Sequence, residues 1–391
     1  MNSQQNEQTH LEFYQQHQIA PVRYNLEDET AHLERRSSLY LKLGVPPLAF
    51  RSQRVLEVAA GCGHNSLYLA HTLPKNLVLL EPNPTGVEHI CEAYSKFQRP
   101  HTIPEIIPSK LEDYHPTEPF DIVLCENWLG TSPHELSLLQ KLANLVVDQG
   151  ILLLTTVSPI GFIPNLLRRF LAVYAVPLSG AFETRTESLV RFFGPHLDTL
   201  KAMTRNKTDW VQDNMINPAY FGICLSMPQV IQELGEKFAV IGSFPSIAED
   251  WRWFKNLHGV HRQFNEHFLS EYWTKAHNFL DYRAPITIRD PALNMELEKK
   301  AIQLLQAIEM HEKEHNNGGD IAKCIERVLI ALDAFTTCVP AHLSSAICAL
   351  NEMQKLIEAD LTDQSLWNMV EFPALFGRET VYLSLLRNGV K

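Results

Sequence analysis

The chain is short of positive charge. Lys and Arg number 34 against 45 Asp and Glu, a formal net charge of −11. Non-specific nucleic-acid binding needs the opposite, a basic footprint, so a tRNA or DNA substrate is disfavoured and only a local basic patch stays open. A Cys-x-x-Cys pair is also missing. The seven cysteines, at 62, 91, 125, 224, 324, 338 and 348, are scattered and odd in number. That argues against a zinc site or a disulfide framework and for free thiols in a reducing compartment. Long apolar runs are absent too. The most apolar stretch, Phe162 to Leu178, is broken by Arg168, Arg169 and two prolines and falls short of the roughly 20 residues a membrane span needs. Met1 to His10 is polar with no apolar core, so no signal peptide is expected and a cytoplasmic location follows. No repeat at solenoid spacing is visible. A chain of 391 residues exceeds one ordinary core and is expected to divide.

What is present begins at residues 54–65. Val55, Leu56 and Val58 form the short apolar run of a buried parallel strand. The strand carries Glu57, then turns through Gly61 and Gly63 into an amphipathic run from Ser66 to Leu73. Glycine belongs where the backbone takes unusual dihedrals and a ligand approaches closely. Strand, glycine turn and helix start together build a nucleotide pocket at the carboxyl ends of the strands. Ser66 stands where a dinucleotide fingerprint would have its third glycine, and an ordinary strand–turn–helix corner is the competing reading. A second buried strand, Leu77 to Leu80, ends in Glu81, whose carboxylate can accept both hydroxyl hydrogens of a ribose lying across the sheet. Ile103 to Ile107, Phe120 to Leu124 and Ile151 to Leu154 read as third, fourth and fifth strands. Helical patterns at 85–97 and 133–147 separate them. Strands alternating with helices predict an α/β, doubly wound (Rossmann-like), mostly parallel sheet.

The run Val55-Leu56-Glu57-Val58-Ala59-Ala60-Gly61-Cys62-Gly63, the strand-end Glu81, the strand Phe120-Asp121-Ile122-Val123 and the Gly150-led fifth strand together resemble class I S-adenosylmethionine-dependent methyltransferases. The likeness covers about residues 22–157 and resumes at 227–241. It implies S-adenosyl-L-methionine as cofactor. By that resemblance, Glu57, Ala59, Gly61 and Gly63 wrap the methionine part, Glu81 and the adjoining Pro82 sit at the ribose, and Leu111 and Glu112 flank the adenine. Lys110 stands where the family often has an aspartate. Glu126, Asn127 and Trp128 follow the fourth strand and face cofactor and acceptor. Tyr24, ahead of a helix at 27–43, is a further candidate contact, with plain sheet-covering as the alternative role for that helix.

The expected organisation is an N-terminal helical cap at 1–50 and a methyltransferase core at 51–157 and 219–247. An inserted lid or acceptor segment occupies 158–218, and an all-α C-terminal helical domain 248–391. The apolar run in the insertion reads as a lid helix, a membrane-surface helix or plain packing. Its end, Thr208 to Pro218, is dense in carboxylates and amides and supplies Asp209 and Asp213 as candidate general bases, or simply caps a turn. His258 is a third candidate base and His134 a weaker one. His258 and His261 are spaced to share a helix face, but no carboxylate–histidine pattern accompanies them, so no metal site is expected. Trp251, Trp253, Phe254 and Trp273 are expected to be buried, and His311 and His315 to lie on a solvated helix face. Helices are predicted at 291–315, 320–337, 340–358 and 379–387, a bundle by period. Arg378 either meets an anionic acceptor group or links two helices.

Two functions follow. The first is metal-independent methyl transfer to an O, N or S atom of a small-molecule or peptide acceptor. The second is a non-catalytic scaffold of the same fold, with the helical domain holding a partner. That domain is also the place for a homo-oligomeric contact.

Overall fold

The structure, a computed structural model, describes residues 9–20, 22–130, 135–176, 180–201, 203–220, 224–359, 361 and 368–389. In chain order its elements are α1 (His10–His17), α2 (Glu29–Lys42), α3 (Pro47–Phe50), β1 (Arg54–Val58), α4 (Ser66–His71), β2 (Asn76–Leu80), α5 (Pro84–Lys96), β3 (Glu105–Ile107), β4 (Phe120–Cys125), α6 (Glu135–Asn144) and β5 (Val146–Val157). There follow α7 (Pro159–Ala175), α8 (Phe182–Leu197), α9 (Lys207–Val211), α10 (Met227–Leu234), β6 (Phe238–Phe244), α11 (Phe264–Lys275), α12 (Pro291–Asn317), α13 (Ile321–Cys338), α14 (Ser344–Glu358) and β7 (Thr380–Arg387). The chain divides into two compact units. One holds residues 1–156, 217–269 and 380–391, the other 157–216 and 270–379. The segment expected as a lid therefore shares a unit with the C-terminal helices.

The first unit is built on a seven-stranded sheet of order β3-β2-β1-β4-β5-β7-β6. β1 pairs in parallel with β2 and β4. Near-continuous apolar strands want cover on both faces. Val55, Leu77, Leu79, Ile122 and Leu124 pack under Tyr40 of α2, Phe50 of α3 and Tyr68 of α4. Leu56, Val78 and Val123 of the opposite face are equally buried. The chain order reverses between β2-β1 and β4, the switch point beside which ligands of such sheets bind.

One expected helix is a strand. Residues 380–387 form β7, antiparallel to β6, with Ala239 opposite Leu386 and Phe244 opposite Tyr382. Val381, Leu383 and Leu385 are buried at every second position, the period of a pleated strand. The helical neighbours upstream disguise that period. The C-terminal region is thus not all-α.

In the second unit α7 is buried along nearly its whole length, the plain-packing alternative. Arg169 joins it to α12 by donating to Glu312 at 2.6 and 2.8 Å. Arg168 donates to the carbonyls of Pro164, Phe372 and Pro373, and its guanidinium lies 3.7 Å from the Phe376 ring centre. His311 is fully buried, not solvated. Its Nε2 lies 2.6 Å from the Tyr174 hydroxyl, and burial pulls its pKa down to about 4. A second correction concerns the aromatic cluster: Trp251, Trp253 and Phe254 are exposed. Among the described residues, no helix is long and apolar enough to cross a membrane.

Candidate functional site

Three carboxylates from adjacent strand tips converge at the switch point. Glu57 is the penultimate residue of β1, Glu81 follows β2 and Glu126 follows β4; all three are buried. The chain leaves β1 through a run of left-handed residues, Ala59 at φ 57°, Gly61 at 60° and Gly63 at 75°. Such values strain the non-glycine Ala59. A Cβ on Gly63 would come within 2.9 Å of Ile90, and one on Gly86 within 2.9 Å of the Gly61 carbonyl. The turn is therefore pressed against α5 at Gly63 and Gly86, while a Cβ on Gly61 would meet no neighbouring atom within 4 Å.

Glu81 is anchored by backbone. It accepts from Gly61 N at 2.7 Å and from Asn83 N at 2.8 Å. Burial pushes its pKa up to about 7 against those two bonds. Pro82 lines a cleft of about 420 Å³ with Pro108, Ser109, Lys110 and Asp113, roofed by Leu11, Glu12 and Gln15 of α1. Leu111, next to Lys110 in the chain, is buried. Glu112 is exposed and its carbonyl accepts from Lys141. The segment after α1 crosses the same strand tips. Asn83 Nδ2 donates to Ile19 O at 2.8 Å, Cys62 Sγ to Val22 O at 2.6 Å, and Tyr24 N to His64 Nδ1 at 2.9 Å. Tyr24 thus reaches the glycine turn through its backbone.

Glu126 is held from α2. Arg36 Nη2 donates at 2.7 Å to both of its carboxylate oxygens, and Tyr40 OH donates at 2.7 Å to Oε1. Burial works against the Arg36 charge, but the adjacent carboxylate outweighs it and raises the pKa. Glu57 has no such partner. Burial first, and the Glu126 charge second, push its pKa up to about 8. Among the described residues its Oε2 has no hydrogen-bond partner, and buried polar atoms are seldom left so. Asn127 is left-handed at φ 56° and donates its N–H to Thr155 Oγ1 at 2.7 Å; Trp128 is half-buried.

Sequence reasoning found the three carboxylates and missed Arg36 and Tyr40. Their only signal is a four-residue spacing on one helix face, and the partner Glu126 lies 90 residues from Arg36. The candidate bases divide between the two units. Asp209, fully buried on α9, and Asp213, 2.7 Å from Arg205 Nη2, belong to the second unit. His258 belongs to the first unit and is exposed, its ring 5.9 Å from that of His261. His134 lies outside the described residues. Arg378 is engaged by the carbonyls of Asn278, Asp281 and Tyr282, the linking alternative. Among the described residues, no three His, Cys, Asp or Glu side chains converge as metal ligands.

A doubly wound sheet with a glycine turn and acidic strand tips defines a nucleotide-type binding domain. Residues 30–188 match a family described as a methyltransferase domain. This stretch of the chain is thus similar to methyltransferase domains. No curated protein sequence matches it. Among solved structures it is similar to the N-methyltransferase NodS from Bradyrhizobium japonicum WM9, at 16% identity, covering 38% of this chain and 74% of that one with a TM-score of 0.30. It is also similar to coclaurine N-methyltransferase, at 12% identity, 94% and 77% coverage and a TM-score of 0.37. A third is the magnesium protoporphyrin IX methyltransferase from Synechocystis PCC 6803, at 15% identity, 40% and 79% coverage and a TM-score of 0.31.

Proposed function

We propose that the first unit binds S-adenosyl-L-methionine across the tips of β1, β2 and β4, and that the protein moves its methyl group to an O, N or S atom of a small or medium-sized acceptor. The observation that carries this reading is the orphaned Oε2 of Glu57 beside the left-handed glycine turn. A buried carboxylate oxygen without a partner fits a cationic ammonium group. Glu81 retains acceptor capacity for a ribose diol, and the cleft between Pro82 and Asp113 suits an adenine edge. Arg36 and Tyr40 hold Glu126 in one orientation, so this carboxylate acts as a wall of the site.

When bound, the cofactor supplies an activated methyl electrophile, so transfer does not call for a metal. The protein's part is to align the nucleophile and, for an acceptor of high pKa, to take its proton. Asp209, Asp213 and His258 remain the proposed bases. Isothermal titration with S-adenosylhomocysteine tests the cofactor half, and absence of binding would favour a scaffold role instead. Single-turnover transfer in Asp209→Asn, Asp213→Asn and His258→Ala tests the base. The variant lacking it should lose about 10²–10⁴ in rate while binding S-adenosylhomocysteine normally. Unimpaired transfer in all three would point to an acceptor that reacts already deprotonated.

A further inference from the structure

Between β6 and α11 the chain makes a loop that holds aromatic side chains out in water. Trp251 is 89% exposed, Trp253 63%, Phe254 72% and Val260 79%. Large apolar side chains grouped in this way mark an interaction surface. Nor is the loop a loose strand of chain. Arg252 clamps it shut, donating to both carboxylate oxygens of Asp250 at one end and to the carbonyls of His261 and Arg262 at the other. Two short 3₁₀ turns, at Phe254–Asn256 and Gly259–His261, shape the tip. Trp253 and Phe254 are stacked, their ring centres 6.2 Å apart.

Within residues 251–262 the charge runs opposite to that of the chain as a whole, with exposed Glu249 and Glu266 flanking the loop. Residues 251–265 contain no Asp or Glu, in a protein whose formal charge is −11. Lys255, His258, His261 and Arg262 are all exposed on the loop. Arg252 is neutralised by Asp250, whereas the Lys255 ammonium lies over the Trp253 ring and the Arg262 guanidinium over the Phe264 ring. Indole and phenyl rings flanked by Lys and Arg suit one environment above others: the boundary between lipid headgroups and acyl chains, where tryptophan is enriched and basic residues meet anionic phosphates. The negative remainder of the molecule would be repelled from such a surface, so this loop is the face that contact would select.

We propose that the loop at 250–262 docks the protein on anionic lipid surfaces, with Trp251, Trp253 and Phe254 entering the headgroup layer and Lys255 and Arg262 pairing with lipid phosphates. This is independent of methyl transfer. The test is cosedimentation of the full chain with vesicles of phosphatidylcholine alone and of phosphatidylcholine doped with phosphatidylserine. Binding to the doped vesicles is expected, weakened by added salt. It should fall at least about tenfold in Trp253→Ser/Phe254→Ser and lose its dependence on phosphatidylserine in Lys255→Glu/Arg262→Glu. Both variants replace exposed side chains, and their thermal melting and S-adenosylhomocysteine affinity serve as controls that should match the parent protein. Failure to bind doped vesicles, or binding untouched by the aromatic substitutions, overturns the proposal. So does self-association of the parent protein without lipid that the same aromatic variant abolishes, since the patch would then belong to a second copy of this chain.

Discussion

Glu81 and Glu57 show how one residue type takes two electrostatic roles within one site. Glu81 is tied down by two backbone N–H groups, so its removal would delete the proposed ribose contact and also leave Gly61 N–H and Asn83 N–H without this acceptor. Glu81→Ala is expected to weaken S-adenosylhomocysteine binding by about 1.5–3 kcal/mol, the value of a charge-assisted hydrogen bond; calorimetry on the folded variant decides. Glu57 carries a pH signature instead. Its folded pKa of about 8 lies above the free glutamate value of about 4.3, so the folded state holds its proton longer than the unfolded one. The resulting stability is complete below pH about 4.3 and drains away as pH rises through that window. Glu57→Gln should therefore be more stable than the parent at pH 8, by up to about 5 kcal/mol, yet equal to it at pH 4. Denaturant melts without cofactor test this, and the same variant should bind S-adenosylhomocysteine less well. The glutamates were legible in the sequence because each sits within or at the end of an apolar run. Arg36 and Tyr40 were not, because nothing local marks a helix residue whose partner is distant in the chain.

Among the elements, the parallel strands were readable as short apolar runs and the long helices by their period. The last strand was the exception, since eight residues at the end of a helical region carry few cues. β7 nevertheless sits inside the sheet order, between β5 and β6. Leu383 lies fully buried there. Leu383→Ala should cost about 2–5 kcal/mol, seen as a lower denaturation midpoint in a protein that still binds S-adenosylhomocysteine under native conditions. A surface loop position would tolerate the same change within about 0.5 kcal/mol. The fate of Trp251 and its neighbours was misread for a related reason. Apolar composition predicts burial, and only the fold decides which groups reach a core.

For the whole molecule, the division into two units cannot be made with a single cut. The chain passes from one unit to the other at 156/157, 216/217, 269/270 and 379/380. A fragment ending at residue 269 keeps the glycine turn and all three carboxylates but lacks β7. It is expected to be insoluble or to melt without a cooperative transition, with circular dichroism as the readout. A sharp transition together with S-adenosylhomocysteine binding in that fragment would contradict it. The placement of β7 also sets an order of events during synthesis. Domains generally fold as units while the chain is being made, but here the sheet waits for its penultimate strand until residues 380–387 have been made. Until then β5 and β6 lack the neighbour that will lie between them, and unpaired strand edges of that kind invite aggregation. A premature stop codon just before residue 380 should thus be as damaging as one far earlier.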